Sequence, residues 1–302
     1  MEENIVKIDS VTRLHQLMGF EKPTHPLISI VHASPGETEN RANVVSDLYT
    51  IVLMDSCCGW DYGRKTYDFA DGVVTFTAPG QMRSHKETTL NHMSGWMLFF
   101  HPDLIRHTSL GRNIDHYHFF SYETHEALHL SESERYILTE YINLISKEVK
   151  ERIDAHSQNV IVSILQLLLN YSRRFYDRQF NTRSARNRDI AIRFDILLQY
   201  YYQAGWFTGI GVPPVEYFAE RTSLSPSYLS DVLYKEKGCG AKEYIDNFIV
   251  AEAKVLLLSN IDSICDIAYK FGFNYPDYFS RLFKSKTGLT PEEYREELGR
   301  SR

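Results

Sequence analysis

The sequence has 302 residues, a net charge of −6 at pH 7, 43% hydrophobic residues and 24% charged residues. These values are typical of a globular protein of about two domains, and the acidic charge alone argues against a nucleic-acid partner. No apolar run approaches the roughly 18 residues of a membrane helix, and no signal peptide is visible. The four cysteines lack Cys-x-x-Cys spacing, so we expect reduced thiols in a cytoplasmic chain with no membrane partner.

Residues 26–102 carry the pattern of β-strands. The short runs PLISIVHA, SDLYTIVLMD, RKTYDF, VVTFTAPG and GWMLFFHP are rich in β-branched and aromatic residues and are separated by turn signals. Several short strands at this spacing predict a small sandwich or barrel.

From about residue 131 the period becomes helical. Ser131 and Glu134 have the spacing of a capping box. An apolar stripe is expected to follow at Ile137, Tyr141, Leu144 and Ile145. The run SQNVIVSILQLLLNYSRRFYDRQF predicts a second helix with a broad apolar face.

The segment 171–193 is rich in arginine, with seven Arg, two Asp and no Lys or Glu. Its middle, NTRSARNRD at 181–189, has no apolar period and is predicted to be an exposed linker. Two interpretations of these arginines stay open: solvated linker residues, or contacts with a phosphate backbone.

Two segments near the C-terminus repeat each other at a spacing of 50 residues. YFAERTSLSPSYLSDVLYKEKGCGAKEY ends at Tyr244, and DIAYKFGFNYPDYFSRLFKSKTGLTPEEY ends at Tyr294. The matching pairs include Tyr228/Tyr278, Leu229/Phe279, Ser230/Ser280, Leu233/Phe283 and Gly238/Gly288. Upstream of the turn the offset is 49, which pairs Ala219 with Ala268 and Leu224 with Phe273. Internal repetition predicts two structural units of one kind.

Each copy has the layout of a helix-turn-helix. A small residue marks a close helix crossing, Gly272 favours a positive φ in the second turn, and a glycine ends each second helix. Ser225 and Asn274 are the predicted N-caps. Pro226 and Pro276 follow in the first turn. The helix between the copies, AKEYIDNFIVAEAKVLLLSN, would span about 27 Å and hold the two second helices about 34 Å apart, one turn of duplex.

These two motifs and their connecting helix resemble the C-terminal DNA-binding domain of AraC/XylS-type transcriptional regulators over about residues 215–297. The resemblance implies a bacterial, sequence-specific regulator that binds double-stranded promoter DNA, forms a homodimer, and contacts RNA polymerase if it is an activator. It also implies an N-terminal cupin-like domain that senses a small-molecule effector, in which GVVTFTAPGQ and GWMLFF look like strands.

The expected fold class is α+β. A cupin-like β-barrel with dimerisation helices would occupy 1–180, its β part at about 26–125 and its helices at about 131–180. The Arg-rich linker would be 181–189, and an all-α domain with two helix-turn-helix motifs would be 190–302.

The resemblance also assigns DNA-binding positions, which are Ser227, Ser230, Asp231 and Lys235 in the first copy and Asp277, Ser280, Arg281 and Lys284 in the second. Arg281 has the best chemistry, because guanidinium binds guanine O6 and N7 bidentately, and Lys284 suits phosphate. Asp231 departs from the family pattern, since a carboxylate repels phosphate. Tyr278 is expected to hold the second helix in place together with Phe279 and Phe283. Residues 215–302 carry 12 Lys/Arg and 14 Asp/Glu, so modest affinity is expected unless dimerisation or the linker helps.

The alternative function is a cupin-type metalloenzyme with an appended DNA-binding domain. Metal ligands would come from the histidines of the front half, His85, His92, His101, His116, His118, His125 and His129. None of these sits in a His-x-His pair followed by a nearby Glu on a strand, so we expect no enzyme, no catalytic residue, no metal and no cofactor. A small-molecule pocket is expected instead, with Trp96, Phe76 and Tyr67 as candidate lining residues. A third possibility is an N-terminal domain that only dimerises.

Overall fold

The computed structural model describes residues 5–33, 43–54, 72–83, 95–151, 154–259 and 261–299. The chain divides into two compact units, Met1–Arg183 and Ser184–Arg302. The division falls inside the segment predicted as the linker.

The first unit contains two sheets. Strands β2 (Ile28–Ala33), β4 (Tyr49–Met54), β5 (Gly72–Thr77), β7 (Gly95–Phe100) and β8 (Leu128–Leu130) form an antiparallel sheet in the order β2-β7-β4-β5-β8. Strands β1 (Ile5–Ile8), β3 (Asn43–Ser46) and β6 (Met82–Arg83) form a smaller sheet, in which β1 and β3 are parallel. The described strands thus form two sheets and no closed barrel.

Four of the five predicted strands are present, as β2, β4, β5 and β7. The predicted strand RKTYDF lies outside the described residues. Strands β1, β3, β6 and β8 were not predicted, because each has only two to four residues and too few positions to establish an alternating pattern.

Helices cover the sheets of the first unit. Helix α1 (Val11–Met18) packs its buried Val11 and Leu14 against Phe99. After β7 come the short helix α2 (Ser109–Asn113) and several 3₁₀ turns. Helices α3 (Glu132–Lys150) and α4 (Ser157–Thr182) then pack against each other, and both contact β8. The predicted capping box of Ser131 and Glu134 is confirmed.

The second unit is helical in its described part. It comprises α5 (Ser184–Gln203), α6 (Trp206–Ile210), α7 (Val215–Thr222), α8 (Pro226–Lys237), α9 (Ala241–Ser259), α10 (Ile264–Lys270), α11 (Pro276–Thr287) and α12 (Pro291–Gly299). None of the helices described in either unit is long and apolar enough to cross a membrane.

The segment 181–189 contains the boundary between the two units and is mostly exposed, as predicted, but the prediction that it lacks regular structure is wrong. Helix α4 continues to Thr182 and α5 begins at Ser184, so only Arg183 separates them. Arg183 and Asn187 are buried. Two buried polar residues interrupted the apolar period, which is why the sequence resembled a loop.

Candidate nucleic-acid interface

The first helix-turn-helix consists of α7 and α8. Ala219 is buried where the helices cross, and the turn places Ser223 in the left-handed region at φ 56°. The Ser225 side chain caps α8 by accepting a hydrogen bond from the Tyr228 backbone N–H at 3.1 Å. Gly238, also left-handed, ends the helix. The predicted caps of this copy are therefore confirmed.

The second helix-turn-helix consists of α10 and α11. Ala268 is buried at the crossing, Gly272 turns the chain at φ 77°, and Gly288 ends α11 at φ 84°. The predicted N-cap is wrong by one residue. Tyr275 rather than Asn274 occupies the cap position, and its side chain makes no capping hydrogen bond.

Helix α9 is the common support of both motifs. It packs against α8, α10, α11 and α12, and its buried face includes Ile245, Ile249 and Ala253. The predicted core pairs, Leu229 with Leu233 and Phe279 with Phe283, are fully buried. With its apolar side fixed in this way, each second helix has an opposite face that is free to carry polar residues.

The predicted DNA-binding residues differ in how accessible they are. Lys235, Asp277, Arg281 and Lys284 are exposed, whereas Ser227, Ser230, Asp231 and Ser280 are half-buried. The second helix-turn-helix thus presents more of its predicted positions to solvent than the first.

Ser230 has a role within the unit. Its hydroxyl accepts a hydrogen bond from the Ala241 backbone N–H at the start of α9, at 3.1 Å. In the second copy Pro291 stands 50 residues after Ala241 and has no N–H to donate. The paired serines Ser230 and Ser280 are therefore not equivalent, since only Ser230 is bound to the next helix in this way.

Several lysines are held by carboxylates. Lys237 Nζ lies 2.8 Å from Asp195 Oδ2, and this hydrogen bond raises the pKa of the Lys237 ammonium. Lys286 Nζ lies 2.7 Å from Glu243 Oε1. Lys284, exposed on the same helix as Lys286, has no such ion pair in the described structure, so it is the better suited of the two to meet a phosphate.

Two exposed tyrosines beside Arg281 were missed by the sequence analysis. Tyr278 is 60% exposed and Tyr275 is 67% exposed, so the prediction that Tyr278 holds the helix in place is wrong. Its counterpart Tyr228 is 1% exposed, and this difference misled the inference, because the 50-residue repeat suggested equal environments. The pattern of polar and apolar residues along α11 does not show that Tyr278 is exposed whereas Tyr228 is buried.

The predicted effector residues are placed differently from one another. Trp96 is buried, and its indole N–H donates to Thr139 Oγ1 on α3 at 3.2 Å. Phe76 borders a cavity of about 280 Å³, whereas Trp96 does not. Tyr67 lies outside the described residues.

The cavity beside Phe76 combines aromatic rings with polar groups. The ring centroid of Phe119 lies 4.4 Å from that of Phe76. The Phe119 ring also stacks on Tyr176 of α4, with centroids 5.4 Å apart. The polar lining residues include Thr75, Thr77, Gln81, Ser121 and Glu123. A second cleft, of about 550 Å³, is lined by residues of α1, β2 and α3.

No group of three or more His, Cys, Asp or Glu side chains suited to a metal ion occurs among the described residues. Of the seven histidines considered as ligands, His85 and His92 lie outside that part of the chain. His129 is buried and His101 is half-buried, and His116, His118 and His125 are exposed on the 3₁₀ turns before β8.

Comparison with known proteins matches residues 218–297 to a family described as "Helix-turn-helix domain". The uncharacterised HTH-type transcriptional regulator YijO of Escherichia coli K12 is 35% identical over 80 residues, which are 26% of this chain and 28% of that protein. The HTH-type transcriptional activator RhaR of Yersinia pseudotuberculosis is 31% identical over 84 residues, 28% of this chain and 29% of that protein. The similarity therefore spans less than a third of these relatives.

A solved structure is also similar to part of this chain. The C-terminal domain of AraT, a response regulator from Geobacillus stearothermophilus, is 30% identical, with 36% of this chain and 84% of that chain covered and a TM-score of 0.31.

Proposed function

Since residues 218–297 match a helix-turn-helix domain family and are similar to HTH-type transcriptional regulators, we propose that the whole chain is an AraC-type, sequence-specific transcriptional regulator that binds double-stranded promoter DNA. The observation that carries the proposal is the pair of second helices, α8 and α11, each ended by a left-handed glycine and both supported by one helix, α9. In helix-turn-helix proteins the second helix lies in the major groove with its N-terminal residues on base edges.

Within this proposal α11 is the main base-reading helix. It carries Arg281, Lys284 and Asp277 on exposed positions. Arg281 suits a guanine, whose O6 and N7 accept two hydrogen bonds from guanidinium. Helix α8 would contribute Ser227, Asp231 and Lys235, while Ser230 would position α9 through Ala241 rather than meet a base.

The test is a selection of bound sequences from a random duplex library with the full chain, followed by affinity measurements on the selected site. We expect Arg281→Ala to weaken binding about tenfold or more, since a bidentate base contact contributes about 1–3 kcal/mol, and to relax the preference at one base pair. Unchanged preference in a folded variant would refute the role of Arg281. Failure of the wild-type chain to select any sequence would refute the function.

A matched pair of lysines separates phosphate contacts from base contacts. Lys284→Ala should weaken binding to all sequences alike and lower the slope of log K against log salt by about 0.9. Lys286→Ala is the control on the same helix, because Lys286 pairs with Glu243, and should change the slope less. Equal changes in both variants would contradict this assignment.

The remaining parts of the proposal concern the first unit. A cupin-like sensing fold for it is supported by the antiparallel sheet and its covering helices. A small effector would bind beside Phe76, in the cavity that also borders Tyr176 of α4, because aromatic rings with a few polar groups are typical of ligand sites. We further propose a cytoplasmic homodimer that contacts RNA polymerase if it activates transcription.

A further inference from the structure

Three exposed side chains form a row along α11. Tyr275 is the N-cap residue just before α11, and Tyr278 and Arg281 lie within the helix three residues apart, a spacing that makes them neighbours on its surface. The rings of Tyr275 and Tyr278 meet edge to face with centroids 5.9 Å apart and an interplanar angle of 74°. The Arg281 guanidinium carbon lies over the Tyr278 ring, 5.8 Å from its centroid. Each member of the row therefore contacts the next.

The row is unusual because neither tyrosine serves the core. Tyr275 is 67% exposed and Tyr278 is 60% exposed, and the Tyr275 side chain does not cap the helix. In the first copy the same positions hold Ser225, which caps α8, and Tyr228, which is buried. The second copy thus has two aromatic rings on its surface where the first has a cap and a core residue.

The contacts of the row restrict the conformations of the Arg281 side chain. An exposed arginine samples many rotamers, and binding a base edge fixes one of them at an entropic cost. A guanidinium held over an aromatic face by cation–π attraction has already lost part of that freedom. The edge of Tyr275 in turn limits the rotation of the Tyr278 ring.

We propose that Tyr278, braced by Tyr275, is a positioning residue that orients Arg281 for a base edge of the DNA. The inference rests on the proposed function and adds two residues that determine specificity through a third. It predicts that the tyrosine rings act only while Arg281 is present.

The experiment is a double-mutant cycle on the full chain with the duplex selected by the wild-type protein. Tyr278→Ala should weaken binding about two- to fivefold, the range of an exposed cation–π contact, and relax the preference at the base pair that Arg281→Ala also affects. In the Arg281→Ala background, Tyr278→Ala should have no further effect. Tyr278→Phe keeps the ring and should bind within about twofold of wild type.

Tyr275 supplies a second test of the same row. Tyr275→Ala should weaken binding less than Tyr278→Ala and should have no effect once Tyr278 is alanine. Thermal unfolding of every variant checks that the domain remains folded; both tyrosines are exposed, so the melting temperature should be nearly unchanged.

The outcomes are distinct. An equal effect of Tyr278→Ala with and without Arg281 would show that Tyr278 contacts DNA directly. No effect in either background would show that Tyr278 has no part in binding. Either result overturns the inference while the proposed function stands. A wild-type chain that selects no duplex would overturn both.

Discussion

At the scale of single residues, the turns of the two helix-turn-helix motifs both need a residue with positive φ, and each uses a different residue type. Gly272 and Ser223 both take positive φ, at 77° and 56°. A Cβ on Gly272 would collide with the carbonyl oxygen of Phe207 and lie 2.5 Å from Gly211 Cα. Because these are backbone atoms of α6 and of Gly211 just after it, no side-chain rotation relieves the contact. Glycine is required at the second turn by both its φ and its surroundings.

We therefore expect Gly272→Ala to lower the free energy of unfolding by more than about 2 kcal/mol, from left-handed strain plus the backbone clash. Ser223→Gly should change it by less than about 1 kcal/mol, since relief of strain is offset by a more flexible unfolded chain. Urea unfolding followed by helical circular dichroism measures both. Similar losses in the two variants would contradict the account of the turns.

His25 gives a pH dependence at the same scale. Its side chain is mostly buried, and Nδ1 accepts a hydrogen bond from the Leu27 backbone N–H at 3.1 Å. Burial lowers the pKa of the imidazole. As pH falls below about 6.5, the unfolded chain gains a proton that the folded chain resists, so the unfolding free energy decreases.

The replacement His25→Asn retains an acceptor but cannot titrate. Between about pH 7.5 and 5.5, this variant should lose less stability than the wild type, as measured by urea unfolding at each pH. An equal loss in both proteins would mean that other groups account for the pH dependence.

At the scale of elements, α4 clamps the edge strand β8. Gln179 is 1% exposed; its oxygen accepts from the His129 N–H at 2.8 Å and its nitrogen donates to the Ala127 carbonyl at 3.1 Å. Arg178 donates to the His129 carbonyl at 2.6 Å and to both oxygens of Glu134. One turn of α4 thereby binds the backbone of β8 and the capping box of α3.

Removing the Gln179 side chain from this clamp should lower the free energy of unfolding. Gln179→Ala leaves a buried N–H and a buried carbonyl without their partner, at about 1–3 kcal/mol for each group. Gln158→Ala is the control on the same helix, because exposed Gln158 makes one hydrogen bond, to the Leu104 carbonyl at 2.9 Å, and should cost less than about 1 kcal/mol. Urea unfolding compares them, and equal costs would contradict the clamp.

The helices and strands show what sequence periodicity could predict, namely the elements themselves, and what it could not, namely the buried face of α3. The helices and the longer strands were predictable because their patterns are local. The predicted stripe of α3 was correct at Ile145, which is buried together with Leu138, Ile142 and Val149. Of its other members, Leu144 is 51% exposed and Ile137 and Tyr141 are half-buried. Apolar residues on both faces of α3 allow two stripes, and only packing against α4 and the sheet selects one.

At the scale of the whole molecule, charge bears on how DNA binding is achieved. Residues 215–302 have a net charge of −2, which provides little nonspecific attraction to phosphate. If the chain is a homodimer, two linked DNA-binding units bind with an effective concentration that compensates for weak single contacts.

The isolated fragment 184–302 should therefore bind the selected duplex at least about tenfold more weakly than the full chain. Fluorescence anisotropy gives both affinities, sedimentation of the full chain reports its oligomeric state, and a cooperative melt of the fragment checks that it folds. Equal affinities would remove the need for a dimer.

The two units also differ in how far the sequence could describe them. Caps, turns and core positions of the second unit are fixed by residues close together in the chain, so Ser225, Gly272 and Gly288 were identified correctly. The cavity beside Phe76 is assembled from β5, the 3₁₀ turns and α4, elements up to about a hundred residues apart, and no local pattern encodes that meeting. The exposed row on α11 is also not encoded locally, because it depends on whether other parts of the fold pack over that face of the helix.

The indole of Trp96, bound to Thr139 in the first unit, has a practical consequence for spectroscopy. The sequence contains three tryptophans; Trp206 belongs to the second unit, with tyrosine rings 5.4 Å away on α5. In a Trp60→Phe background each unit would hold a single indole emitter. Emission from Trp96 and Trp206, isolated by one further replacement each, would then follow the melting of the two halves of the chain separately.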